Sequence, residues 1–213
     1  MSAPRIAVVD YGMGNRRSVH KALERVGARV ETTRAPGALR AADGLVLPGV
    51  GAFPEAMRRL RELGLVELLG ERIAEGAPLL GICLGMQLLF ERSEEHGDCA
   101  GLGLIRGEVR RLSAGGLRIP HIGWSEVRVE RESPLFEGLP VGGCPFYHVH
   151  SFAAHPGDAD AVIASACYGE RFATAVGSGF IFGVQFHPEK SSLHGLRLLG
   201  NFAALCVAPV RAR

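Results

Sequence analysis

Pro78-Leu79-Leu80-Gly81-Ile82-Cys83-Leu84-Gly85-Met86-Gln87 is the stretch on which the fold turns. Its apolar run from Pro78 to Ile82 has the length of a fully buried strand, and the pattern from Leu84 to Glu91 predicts a helix. Between them stands Gly-x-Cys-x-Gly. A nucleophile held between glycines at a strand-to-helix turn has the form of a nucleophile elbow, with Cys in place of Ser. The turn is sharp and strains the nucleophile's φ and ψ, so a side chain on either glycine would collide with strand or helix. The same geometry lifts the sulfur out of the sheet and aims it at a helix N-terminus, which favours a thiolate. The N–H of Leu84 is then placed as one oxyanion donor. A free Cys is otherwise usually a small buried hydrophobe, and Cys99, Cys144, Cys167 and Cys206 are read that way.

Upstream, strand and helix alternate. Ile6 to Asp10 is an apolar run ending at the loop Tyr11-Gly-Met-Gly-Asn15, and Val19, Ala22, Leu23 and Val26 follow at helical spacing until Gly27. Ala28 to Thr32 and Gly44 to Leu47 read as strands, the latter ended by Pro48-Gly-Val-Gly51. A helical pattern runs from Pro54 to Glu75 with breaks at Gly64 and Gly70. Such strands, buried on both faces and separated by helices, predict an α/β protein with a mostly parallel central sheet and helices on both faces. Downstream, Leu117–Val129, Phe146–Phe152, Ala161–Tyr168, Thr174–Val176 and Phe180–Gln185 are short strand-like runs that predict antiparallel additions, and a helix returns from His194 to Leu205. No linker or repeat divides the chain, so residues 1–213 are read as one domain.

Composition narrows the function. With 213 residues, 47% of them hydrophobic, a large core is available. A net charge of +2 is too small for a protein that binds a nucleic-acid backbone. No apolar run approaches a membrane span, and Ile6 to Val9 is too short for a signal-peptide core. The five cysteines are widely spaced without Cys-x-x-Cys, so neither a disulfide framework nor a zinc site is expected. The chain reads as cytoplasmic and reduced, and it calls for no metal and no cofactor.

A thiol nucleophile in acyl transfer needs an imidazole to take its proton and return it to the leaving group. Among eight histidines, His187 in Gly183-Val-Gln-Phe-His-Pro-Glu-Lys-Ser191 follows an apolar strand. In extended geometry His187 and Glu189 project to one side, and the carboxylate accepts from Nδ1 while Nε2 faces the sulfur. Taken alone, His-Pro-Glu reads more simply as a surface turn with an ion pair; together with Cys83 it completes a triad. The order nucleophile, base, acid differs from that of ordinary α/β-hydrolases.

Gly81-Ile-Cys-Leu-Gly-Met-Gln87 with His187-Pro-Glu189 resembles the class I, triad-type glutamine amidotransferases. Tyr11-Gly-Met-Gly-Asn15, Pro48-Gly-Val-Gly-Ala-Phe53, Pro120-His-Ile-Gly-Trp124 and His187-Pro-Glu-Lys-Ser191 extend the resemblance, from Ile6 to about Leu205, to the glutaminase-subunit family of imidazole glycerol phosphate synthases. The resemblance implies a flavodoxin-like fold in which Cys83 attacks the glutamine carboxamide, His187 shuttles the proton and Glu189 orients His187. It implies oxyanion donors from the N–H groups of Val50 and Leu84. It implies a glutamine pocket formed by Gly49, Gly51, Gln87, Glu95, His150, Ser151 and Phe152, with Glu95 suited to the α-ammonium. His148, Ser125 and Phe152 depart from the family's usual residues, which touches rim contacts and not the triad.

The glutaminase pattern uses the whole chain, so the ammonia acceptor is expected on another polypeptide. The resemblance implies a (β/α)8-barrel cyclase subunit in a heterodimer, acting in histidine biosynthesis. Tyr11, Asn15, His121 and Trp124 in loops, with Lys190, form the expected partner face. Trp124, the single Trp, reads equally well as a core anchor. Three other readings stay open here: the glutaminase of another synthase (anthranilate or pyridoxal phosphate), a cysteine peptidase or small-molecule hydrolase on the same framework, and a scaffold with a vestigial elbow.

Overall fold

A computed structural model describes residues 3–140 and 142–207. Strands β1 (Arg5–Val9), β2 (Arg29–Thr33), β3 (Gly44–Gly49) and β4 (Leu79–Cys83) alternate with helices α1 (Arg16–Arg25), α2 (Pro36–Ala41), α3 (Phe53–Glu62) and α4 (Leu65–Ala74). The short helix α5 (Leu84–Gln87) follows β4 directly, and β13 (Ile181–Val184) and α6 (Ser192–Leu205) close the described chain. The order β2-β1-β3-β4-β13 is parallel throughout. Side chains along each strand alternate between two cores. Ala7, Val9, Leu45, Leu47 and Leu79 face the core that α2, α3 and α4 cover, while Ile6, Val8, Val46, Leu80 and Ile82 face the core under α1 and α6. Burial on both faces is why these strands read as unbroken apolar runs.

Beyond β13 the sheet turns antiparallel through β12 (Glu170–Ser178) and β10 (Phe152–Pro156) to β7 (Ile105–Arg111), with β5 (Phe90–Ser93) and β6 (Cys99–Ala100) at the edge. A branch leaves β12 through β11 (Val162–Tyr168) to the antiparallel ribbon of β8 (His121–Val129) and β9 (Cys144–His150). The parallel sheet, the helices on both faces and the antiparallel second half match expectation.

Several boundaries differ from the sequence reading. The segment Leu84–Glu91 is one turn of helix followed by strand, because Phe90 pairs with Ile105 of β7. The helix α4 runs through Gly70 without a break. The run Phe146–Phe152 divides at Ser151 into β9 and β10, and α2, β5, β6 and β7 have no counterpart in the reading. Among the described residues no helix is long and apolar enough to cross a membrane. Met1 and Ser2, the start of the segment weighed as a signal peptide, lie outside the described residues.

Candidate active site

Strand register assembles the site. Gly49 at the end of β3 pairs with Cys83 at the end of β4, and Val184 at the end of β13 pairs with Ile82. The loop after β3, the elbow after β4 and the His-Pro-Glu turn after β13 therefore emerge side by side at the carboxyl edge of the parallel sheet. Open α/β sheets bind ligands at that edge.

Cys83 sits at φ +55° and ψ −112°, outside the usual regions for a side chain-bearing residue. The flanking glycines are required sterically. A Cβ at Gly81 would stand 2.6 Å from the Gly85 carbonyl oxygen, and one at Gly85 would stand 1.8 Å from that of Leu47. The helix the sulfur faces is a single turn, so its macrodipole is smaller than a full helix would give.

His187 and Glu189 meet, though not by the extended route expected. His187 is extended, but Pro188–Lys190 forms a 3-10 turn that brings Glu189 Oε1 to 3.0 Å from Nδ1 of the ring. Burial alone would depress the His187 pKa. The Cys83 sulfur and the Glu189 carboxylate outweigh it and hold the imidazole up at about 9. Ser191, which the sequence reading quotes at the end of the His-Pro-Glu-Lys-Ser motif without a role, pins this turn: its Oγ donates to the His187 carbonyl (2.7 Å) and accepts from the Tyr147 N–H (3.0 Å).

A cavity of about 270 Å³ opens over the sulfur. It is lined by Val50, Gly51, Cys83, Leu84, Gln87, Glu95, Pro120, Val149, His150, Ser151, Phe152, His187 and Lys190. Gly49 lies beneath it, so tightly packed that a Cβ would meet the Tyr11 hydroxyl at 2.7 Å and the Gly85 nitrogen at 2.9 Å. Larger grooves exist over β8 and β11, but they hold no base beside a buried thiol, and volume does not rank them above this one. Glu95 accepts the Phe53 N–H at 2.8 Å through one oxygen. Gln87 Nε2 donates to the Phe152 carbonyl and to Gln185 Oε1, both at 3.0 Å, leaving its own oxygen as the free acceptor.

Two expected surface residues are internal. Tyr11 is buried, its hydroxyl donating to the Pro48 carbonyl at 2.7 Å, and its phenol pKa is driven upward by desolvation. It fastens the end of β3 and presents no docking surface. His121 is also buried, with Nδ1 3.0 Å from His150 Nε2 and Nε2 2.9 Å from Ser125 Oγ. On β8 the usual alternation is inverted, polar His121 pointing in and apolar Ile122 and Trp124 out. Trp124 is 53% exposed and Ile122 60%. Trp124 is thus no core anchor, and the sequence reading missed Ile122. The Trp124 ring lies edge-on to Tyr147 across the ribbon, and Lys190 Nζ stands 5.8 Å from the Tyr147 ring centre. Asn15 is half-buried, and its side chain makes no capping bond to α1.

Comparison with known proteins follows the same lines. The family model "Glutamine amidotransferase class-I" matches residues 7–205. The chain is 54% identical over 200 residues to the imidazole glycerol phosphate synthase subunit HisH of Moorella thermoacetica, covering 94% of each chain. It is 49% identical over 199 residues to the HisH subunit of Aquifex aeolicus, covering 93% of this chain and 95% of that one. In fold it is similar to a chain in the structure of PurLQS from Thermotoga maritima (TM-score 0.74, 21% identity, 95% of this chain and 99% of that one). A glutamine amidotransferase from the same organism is also similar (TM-score 0.64, 16% identity, 96% and 84% covered).

Proposed function

This chain belongs to the class-I glutamine amidotransferases, and within them to the HisH subunits of imidazole glycerol phosphate synthase; from that premise we propose the residues and partner through which it works. The chain is a glutamine amidotransferase of histidine biosynthesis, and residues 1–213 act as one amidotransferase domain. Cys83 is the nucleophile, His187 its base and acid, and Glu189 the carboxylate that orients His187 through Nδ1. With an imidazole pKa of about 9, His187 carries a proton at neutral pH. Sulfur attacks the carboxamide carbon, and the oxyanion is received by the N–H groups of Leu84 and Val50. The proton on His187 goes to the departing nitrogen, so ammonia leaves and a thioester remains. Water, deprotonated by His187, then releases glutamate. Glu95 and the free oxygen of Gln87 accept from the substrate's α-ammonium, Gly51 and the segment His150-Ser151-Phe152 line the rest of its pocket, and Gly49 supports it from beneath without lining it.

Ammonia released into water becomes ammonium, which is not nucleophilic, so the product needs a shielded acceptor. We assign that role to a (β/α)8-barrel cyclase subunit in a heterodimer in the cytoplasm. Its docking face comprises Ile122, Trp124, Lys190 and Asn15. Support comes from continuity: Val149, the cross-strand partner of Ile122, and Lys190 both line the cavity that holds Cys83.

The observation that carries the reading is the His187–Glu189 pair fixed at the end of the strand beside the Cys83 elbow. Cys83→Ala is expected to abolish glutamine-dependent synthesis in the complex while synthesis from added ammonia persists. A glutamine-analogue thioester trapped at Cys83 in the native chain would be the positive counterpart, and glutamine hydrolysis surviving in Cys83→Ala would sink the assignment. Restoration of turnover by an anthranilate or pyridoxal phosphate synthase partner in place of the cyclase would move the chain to another pathway.

A further inference from the structure

We propose that Gln185 is a positioning residue for the nucleophile, its side-chain amide donating an N–H to the Cys83 sulfur while Gln87 holds that amide in orientation. The inference rests on the reading of Cys83 as nucleophile and deepens it.

Gln185 is wholly buried and does not line the substrate cavity. A buried amide is costly unless its hydrogen bonds are made, and an apolar side chain would serve a core position better. Its bonds define one orientation. The Phe152 carbonyl only accepts, so the Gln87 atom 3.0 Å from it is the NH2 group. The same NH2 lies 3.0 Å from the Gln185 amide, which must therefore present its carbonyl oxygen there. That turns the Gln185 NH2 toward Cys83, with Nε2 3.8 Å from the sulfur. The amide orientation follows from a backbone carbonyl two bonds away in the network.

The second observation is on the other side of the sulfur. Sγ stands 3.7 Å from the Val149 carbonyl oxygen. A neutral thiol donates its hydrogen to that oxygen. A thiolate has no hydrogen to give and meets the carbonyl's negative end, so it needs a donor elsewhere. The Gln185 N–H supplies one from within the protein, in addition to His187. Parallel pairing of Val184 with Ile82 puts Gln185 beside Cys83 however the substrate sits. Acting on the sulfur and not on glutamine, Gln185 should influence kcat and leave KM alone.

Two substitutions test this. Gln185→Met removes the donor to sulfur at similar volume without adding a charge or a new donor, and Gln185→Leu does the same with a shorter side chain. Each is assayed in complex with the cyclase subunit for glutamine-dependent and ammonia-dependent synthesis. The free full chain is assayed for the pH dependence of Cys83 alkylation by iodoacetamide. The expected result for both is at least about a tenfold fall in glutamine kcat with KM within threefold, since hydrogen bonds to charged groups are the stronger class. Ammonia-dependent synthesis stays at the wild-type rate, and the acid limb of the alkylation profile moves to higher pH. A wild-type alkylation profile in Gln185→Met overturns the proposal, as does a rise in KM with kcat unchanged. Should Gln185→Met not fold, Gln185→Leu alone decides. If Cys83 of the wild-type chain does not react, the assignment of the nucleophile falls and this inference with it; if it reacts and only the variant profiles are unchanged, this inference alone falls.

Discussion

A methyl group at residue 85 would sit inside the van der Waals envelope of the Leu47 carbonyl oxygen, 1.8 Å away, and that contact is with backbone. No side-chain rotation relieves it, so β3 or the elbow must move. Gly85→Ala is expected to cost at least about 3 kcal/mol in denaturant unfolding and to abolish glutamine hydrolysis. Gly70 is the contrasting case. It lies inside α4 with nothing within 4 Å of its would-be Cβ, so Gly70→Ala is expected to stabilise by roughly 0.5–1 kcal/mol through reduced freedom of the unfolded chain. Equal effects of the two substitutions in the same unfolding assay would refute this account of the elbow. The pair also marks what single residues disclose in sequence. Gly81 and Gly85 are legible because they flank a nucleophile at fixed spacing. Gly70 reads as a helix break but is only a weak helix residue that packing carries along. Ser191 is visible as the end of the His-Pro-Glu-Lys-Ser motif and Gln185 only as a neighbour of it, and neither shows its role, because a lone amide or hydroxyl announces its bonds only once the strands are paired.

At the scale of the element, the ribbon β8–β9 sets three imidazoles against one another. The Phe152 carbonyl accepts from His150 Nδ1 (2.9 Å), which leaves Nε2 to accept from His121, whose own Nε2 accepts from Ser125. His148 donates to the Phe146 carbonyl (3.0 Å) and accepts from the Thr174 hydroxyl (2.7 Å). Every ring is held neutral. Burial depresses all three, His150 to about 4. A depressed histidine contributes stability above its unfolded pKa near 6.5, and the contribution is lost as pH falls through the folded value. His187, raised to about 9, has the opposite sign: its contribution is complete below about 6.5 and lost as pH climbs through 9. The expected outcome is a Tm that peaks near neutrality and falls between about pH 6.5 and 4. The paired substitution His148→Phe with Thr174→Val, which removes one ring without stranding its hydroxyl partner, should flatten that acid fall; an unchanged acid limb would count against it. The sequence marked His148 as unusual but could not show that it faces His121 and His150, since that depends on cross-strand register. The same dependence hid β5 and the end of α5. From Ala77 to Phe90 every residue is buried, and a segment buried all round has no period to separate helix from strand. The strand β7 was hidden differently, because only Ile105 and Val109 of its seven residues are buried.

In the whole molecule, the parallel order β3-β4-β13 brings together motifs that a hundred residues separate, and this was legible because each motif ends an apolar run. Of the residues expected at a partner face, only some are exposed. Trp124 and Lys190 lie on the surface, whereas Tyr11 and His121 turn inward, because a sequence does not reveal which face of a ribbon its polar residues take. Ile122 and Trp124 are two exposed apolar side chains on one face of β8, and the strand across from them borders the cavity over Cys83. A partner seated there would cover the route from sulfur to solvent and would also contact the loop Pro48–Gly51, whose Val50 is exposed beside Cys83. Two consequences separate docking from folding. Ile122→Lys with Trp124→Ala should leave the isolated chain's unfolding free energy within about 0.5 kcal/mol, as substitutions of exposed residues usually do. The same double variant should weaken the cyclase complex at least about tenfold in calorimetric titration, since an aromatic anchor at a desolvated interface carries much of the binding energy. Glutamine turnover should be low in the isolated chain, rise when the cyclase binds, and lose that rise in the variant at concentrations where the wild-type pair is formed. An isolated chain as active as the complex, or a variant that binds and is stimulated like wild type, would place the docking face elsewhere and leave the loop after β3 competent without a partner.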